Sequence, residues 1–129
     1  MKTVIVDKDG SLSVREVPKP KYGPKQALTK TIANGVCGTD IHIFNGDGGS
    51  FEVNPPLIPG HEFSGVVAKV GSAVTTVKEG DRVSGDPNDM CGECYFCKNA
   101  MQHFCTNNVG VGTTVDGGFA EYVIMREKQ

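Results

Sequence analysis

Short runs in which apolar and polar side chains alternate recur along the chain, each cut off by Gly, Pro, Asn or Asp. Alternation with period two puts apolar groups on one face of an extended backbone, so the pattern predicts half-buried strands rather than helices. Thr3-Val4-Ile5-Val6 and Leu12-Ser13-Val14-Arg15-Glu16-Val17 flank Asp9-Gly10. That dipeptide tolerates the positive φ of a tight turn, and the chain is expected to open as a β-hairpin. The prolines at 18, 20 and 24 cannot donate to a ladder and predict an extended connection. A strand is expected over 27–32, a loop at Asn45-Gly46-Asp47-Gly48-Gly49-Ser50, and extended backbone around Pro55-Pro56 and Pro59-Gly60. Val-rich strands follow at 63–70, 74–77 and 82–84, with turns at 71–73 and 78–81 between them. A last strand is expected over 119–124, after the Gly117-Gly118 turn. Many short strands with turns every eight to twelve residues or so predict a closed or nearly closed β-barrel. Helices should be few and short, near 40–44 and 94–99.

The composition narrows this picture. A chain of 129 residues with 17 glycines and seven prolines suits one domain of strands and turns. At that length folding buries roughly two-thirds of the unfolded surface. A formal net charge of −2 and the lack of a Lys/Arg stripe exclude a nucleic-acid-binding class. No apolar run approaches the ~20 residues of a membrane span. The start Met1-Lys2-Thr3-Val4-Ile5-Val6-Asp7 has no secretory apolar region, so a soluble chain in the reducing cytoplasm is expected.

Chemistry enters with the cysteines. Cys91, Cys94, Cys97 and Cys105 fall inside fifteen residues, the first three separated by two-residue spacers. Such spacers let the backbone turn tightly enough for four thiolates to surround one tetrahedral zinc. A disulfide pair is the alternative in an oxidising compartment. An iron–sulfur cluster is the other, although the bacterial ferredoxin run needs a three-residue last spacer followed by Pro, and Cys105 follows seven residues and precedes Thr106. The predicted lobe spans about 86–108. With all four positions filled by protein, such a site holds structure together and does no chemistry.

Asn34-Gly35-Val36-Cys37-Gly38-Thr39-Asp40-Ile41-His42 is not periodic. Thiol, hydroxyl, carboxylate and imidazole crowd past a strand end, which suits a site. A buried structural Cys beside a helix-capping Thr or Asp explains the same residues. His61, followed by Glu62, alone suits a satisfied core histidine. Set beside Cys37, the one cysteine outside the cluster, it completes a pair of good zinc ligands.

Taken in order, Cys37-Gly38-Thr39-Asp40-Ile41-His42, Gly60-His61-Glu62 with Gly65 and Gly71, Gly80-Asp81-Arg82-Val83, the four-cysteine lobe and Gly118-Phe119-Ala120-Glu121-Tyr122 resemble the zinc-containing medium-chain alcohol dehydrogenases. The resemblance implies a GroES-like β-barrel catalytic domain, joined in that family to a Rossmann domain for NAD or NADP. It implies that Cys37 and His61 hold catalytic zinc, with Glu62 as the acidic neighbour that coordinates directly or by moving. Thr39 takes the place of the hydroxyl that passes on the substrate proton, and His42 resembles a histidine adjoining the zinc shell in some branches. Cys91, Cys94, Cys97 and Cys105 match the structural zinc. The overall likeness leans towards dehydrogenases of polyols or polyol phosphates, with threonine dehydrogenase as the alternative, and a homo-oligomer is expected.

A dinucleotide site needs a strand, a Gly-x-Gly-x-x-Gly turn and a helix. Gly110-Val111-Gly112-Thr113-Thr114-Val115 lacks the third glycine and is counted as loop. The Rossmann domain and the family's further zinc ligand are therefore expected beyond residue 129. The chain is expected to be the truncated N-terminal domain, 1–129, of a longer enzyme and inactive alone. If 129 residues are the whole product, a non-catalytic zinc-binding module is the other reading.

Overall fold

The computed structural model describes residues 1–46 and 53–129. The loop expected over 45–50 lies from residue 47 onwards outside the described residues. The chain opens with the hairpin of β1 (Lys2–Val6) and β2 (Leu12–Glu16), in register Val4 to Val14. Gly10 turns it at φ +78°, a left-handed conformation that glycine adopts without a Cβ penalty.

A four-stranded antiparallel sheet follows, in the order β5 (Arg82–Ser84), β4 (Phe63–Val70), β3 (Gln26–Asn34), β8 (Tyr122–Arg126). In β3, three consecutive residues, Ala27, Leu28 and Thr29, are buried, breaking strict alternation. A register shift between Leu28 and Thr29 explains it: Leu28 opposes Lys69 and Thr29 opposes Val67, so the bulge returns the next side chain to the interior. Phe63, Val111, Val123 and Met125 form a buried cluster against this sheet.

The hairpin joins the rest by bridges from Thr3 to Ala120 and from Val6 to Leu57. The lobe is entered and left by a two-stranded ladder of β6 (Asn88–Asp89) and β7 (Val109–Gly110). Among the described residues helices are few and short, as expected: α1 (Gly38–Asn45), α2 (Tyr95–Lys98) and a 3-10 turn over Gln102–Phe104. Among the described residues no helix is long and apolar enough to cross a membrane.

Two strand expectations need correction. Residues 74–77 are not a strand, because the amides of Thr75 and Thr76 donate to the Glu127 carboxylate at 2.7 and 3.1 Å instead of to a ladder. The last strand starts at Tyr122 rather than 119. The Phe119 carbonyl accepts from the Val4 amide, so Phe119 and Ala120 serve the hairpin before the chain turns to β3.

Candidate metal centres

Among the described residues, two sets of side chains converge closely enough to hold a metal ion. The first is built by the β3–β4 pairing. Asn34 opposes Phe63 at the end of the ladder, and the Gly35 amide donates to the Glu62 carbonyl at 2.8 Å. Cys37, three residues past β3, is thereby brought to His61, two residues before β4. Cys37 Sγ lies 2.9 Å from His61 Nε2. The ligand atoms of Cys37, His61 and Glu62 all fall within 4.8 Å of one another. Cys37 and His61 are half-buried and Glu62 is exposed, so the set faces outward on one side.

Gly60 fits this corner for a steric reason. It has φ +94°, and a Cβ there would lie 2.3 Å from Asn34 Nδ2 and 2.8 Å from the Phe119 amide nitrogen. No side chain fits at that position without moving backbone, so the close approach that presents His61 depends on glycine.

Asp40 completes the arrangement and was legible from sequence only as a helix cap. It is fully buried, at the third position of α1. One carboxylate oxygen accepts from the Cys37 amide at 2.9 Å, and the other lies 3.6 Å from His61 Nδ1. At that separation the two do not hydrogen-bond, and both are buried with no hydrogen-bond partner, so a small approach would pair them. A carboxylate behind the distal nitrogen of a ligating imidazole fixes its tautomer and ring orientation. The sequence signal was the Cys-x-x-Asp spacing of a reciprocal helix cap; the facing histidine, far along the chain, was beyond reach of a local pattern. Thr39 is half-buried in the first turn of α1, and His42 is exposed further along the same helix, outside the three-residue set.

The donor chemistry fits zinc: one thiol, one imidazole and one carboxylate leave a fourth position open. With Zn–S of about 2.3 Å and Zn–N of about 2.0 Å, a tetrahedral ion spreads sulfur and nitrogen to roughly 3.5 Å. Cys37 and His61 must therefore part by a few tenths of an ångström to admit it.

The second set lies in the lobe. Cys94 N-caps α2, Cys97 sits within that helix and Cys105 ends the 3-10 turn, so two short helical turns bring their sulfurs together with that of Cys91. Cys105 Sγ is 3.5 Å from Cys91 Sγ and 4.0 Å from Cys94 Sγ, and Cys91 Sγ is 3.9 Å from Cys97 Sγ. A tetrahedron with Zn–S of about 2.3 Å has edges of about 3.8 Å, so the four thiols already sit at that spacing. None is in a disulfide. Amides donate to the sulfurs, Cys91 N to Cys105 and Cys94 N to Cys91, each at 3.4 Å. Amide donation from Cys97 and Thr106 pulls the Cys94 thiol down to about 6, and the Cys91 amide lowers Cys105. Burial pushes the Cys97 thiol up to about 12. A divalent cation overrides that cost, since a coordinating thiol is deprotonated outright.

Residues 23–129 match the model of the alcohol dehydrogenase GroES-like domain. The chain is 42% identical over 127 residues to an L-threonine 3-dehydrogenase of Streptomyces avermitilis, covering 97% of this chain and 37% of the relative. It superposes with a TM-score of 0.92 and 44% identity on a chain from Sinorhizobium meliloti assigned as a zinc-binding dehydrogenase and solved bound to NADP, covering 99% of this chain and 36% of that one. Galactitol-1-phosphate dehydrogenase from Escherichia coli superposes with a TM-score of 0.90 and 34% identity, covering 100% of this chain and 37% of that one. The chain thus spans a little over a third of the length of these proteins.

Proposed function

The chain belongs to the alcohol dehydrogenase GroES-like domain family, and on that premise we propose that residues 1–129 are the catalytic domain of a zinc-dependent, nicotinamide-linked dehydrogenase that oxidises a secondary alcohol to a ketone. The observation that carries this reading is the convergence of Cys37, His61 and Glu62 within 4.8 Å, with Asp40 behind the imidazole. Cys37, His61 and Glu62 would hold the catalytic zinc, and Cys91, Cys94, Cys97 and Cys105 the structural one. Bound at the first set, zinc supplies Lewis acidity that lowers the pKa of an alcohol hydroxyl by several units.

The chain's own residues have separate tasks in this reading. Asp40 orients the His61 ring and ties Cys37 to the start of α1 through its amide. The Thr39 hydroxyl, in the first turn of α1, would relay the substrate's proton, accepting it while passing its own onward to the cofactor ribose. His42, exposed further along the same helix, would adjoin that shell. NAD or NADP would supply the hydride acceptor, and no residue of 1–129 is assigned to it. The five unpaired thiols suit a reducing, cytoplasmic setting, and the parent enzyme is expected to be a homo-oligomer.

The identity of 42% to an L-threonine 3-dehydrogenase supports L-threonine, whose hydroxyl is secondary, as the first substrate to try. A polyol or polyol phosphate is the second reading, supported by the likeness to galactitol-1-phosphate dehydrogenase. The test is turnover by the full-length parent, loaded with zinc, of L-threonine and a panel of polyols and their phosphates with either nicotinamide. Reduction of the cofactor with one of these is expected; no turnover of any of them refutes the reading.

A further inference from the structure

Lys128 lies far in sequence from the four cysteines and outside the lobe expected from them. Its ammonium nevertheless reaches the lobe's entry strand. Lys128 Nζ donates to the Met90 carbonyl at 2.5 Å and lies 2.6 Å from Asp89 Oδ1. Asp89 is 6% exposed, and its other oxygen is 3.0 Å from Arg126 Nε. One backbone and one side-chain hydrogen bond hold the same segment in place: the Asp86 amide donates to the Gln129 carbonyl at 2.8 Å, and Gln129 Nε2 donates to the Asp86 carbonyl at 3.2 Å.

The Met90 carbonyl belongs to the peptide whose other end is the Cys91 amide, and that amide donates to Cys105 Sγ at 3.4 Å. A cation on the oxygen of a peptide polarises its N–H and strengthens the bond that N–H makes. A continuous path therefore runs from Lys128 Nζ through the Met90–Cys91 peptide to a sulfur of the four-cysteine set. Asp89 holds the ammonium at the head of that path, against the tendency of a half-exposed lysine to move into solvent.

We propose that Lys128, seated by Asp89, is a positioning residue for the four-cysteine metal site, fixing the Cys91 amide on Cys105 and raising the lobe's affinity for its ion. This rests on the reading of the lobe as a zinc site. Charge compensation points the same way. Four thiolates around one divalent cation leave a net charge of −2, and groups in the outer shell that share this charge contribute to metal affinity.

The test compares the wild-type chain with Lys128→Met, which keeps the aliphatic stem, Lys128→Arg, which keeps the charge, and Asp89→Asn. Zinc and cobalt affinities at the lobe are measured by chelator competition, with the cobalt thiolate absorption identifying the site. The Cys91 amide proton is followed by NMR in the zinc-loaded chain. Outer-shell losses cost about 10–100-fold in affinity, and Lys128→Met is expected to fall in that range, with Asp89→Asn in the same direction. The Cys91 amide resonance should move towards that of a weaker hydrogen bond, and Lys128→Arg should restore both readouts. A purely structural loosening would not be rescued by Arg while leaving the other lobe amides in place. Lys128→Met with wild-type affinity and an unmoved Cys91 amide overturns the proposal while leaving the zinc lobe intact. A wild-type chain that binds no metal at the four cysteines overturns both the lobe reading and the proposal.

Discussion

Replacing Asp40 with Asn tests the architecture of the open site most directly. The substitution keeps size and one acceptor oxygen but removes the charge from a side chain with no exposed surface. Two interactions weaken together. The hydrogen bond from the Cys37 amide, 2.9 Å long, changes from charge-assisted to neutral. That step is a fall from about 1.5–3 to about 0.5–1.5 kcal/mol. The partner of His61 Nδ1, at 3.6 Å, becomes a neutral amide that can present either its oxygen or its nitrogen to the ring. Losing an outer-shell carboxylate of a metal-bound histidine lowers affinity about 10–100-fold, or about 1.4–2.7 kcal/mol. Zinc affinity at Cys37, His61 and Glu62 should therefore drop by one to two orders of magnitude, while the four-cysteine lobe keeps its ion. Chelator competition on Asp40→Asn, with the two sites separated by prior blocking of the lobe with one equivalent of zinc, reads this out. The fold should lose about 1 kcal/mol, a shift of a few degrees in Tm for a domain of this size. Unchanged affinity at the open site would show that the carboxylate only caps α1 and does not hold the imidazole.

Three further outcomes follow from the same contacts. Cys94→Ser should abolish zinc binding at the lobe and cause its backbone to lose protection in hydrogen exchange, whereas Cys37→Ser should leave the lobe's protection unchanged, because only the lobe depends on an ion to order it. Equal losses in both variants would contradict the assignment. Gly60→Ala must place a Cβ 2.3 Å from Asn34 Nδ2 at φ +94°, and should destabilise by about 1–3 kcal/mol in denaturant unfolding; a loss near zero would mean the His61 corner can shift freely. The Thr75 and Thr76 amides hold the Glu127 carboxyl below its ordinary value of 4.5. A depressed folded-state pKa gives stability that is present above the unfolded value and lost as pH falls through the folded one. The Tm gap between wild type and Glu127→Gln should thus be level from pH 7 to 5 and close below about 4; a gap that widens in acid refutes the contact.

What could be read from the chain before its structure follows the range of the interactions involved. The four lobe cysteines were legible because their geometry is set by two-residue spacers within a local turn. The hairpin and β4 were legible because alternation is local too. Residues 74–77 read as a strand because Val74 and Val77 carry strand propensity. What decides their state is Glu127, roughly fifty residues on, which takes the amides a ladder would need. Phe119 and Ala120 misled in the same way, since their partner is the first strand. Asp40 and Lys128 act across the chain on groups that no window contains.

The two metal sets consequently stand in different relations to folding. Cys37 and His61 are brought together by the end of the β3–β4 ladder and by Gly60 packed against Phe119, so the sheet pre-arranges them and an ion needs only a small adjustment. In the lobe, α2 is four residues long and buries none of them, and the entering ladder is two residues on each side. So little regular structure cannot fix four half-exposed thiols without an ion or an anchor. The anchor is the cluster of Asp89, Arg126 and Lys128, which pins the lobe's entry strand to the end of β8. Stripping the metal should therefore release residues 91–105 while the β6–β8 contact persists. Hydrogen exchange on the metal-free chain decides between this and a lobe ordered without zinc: protection retained at 122–126 but lost at 94–105 fits the division, and protection retained at both refutes it.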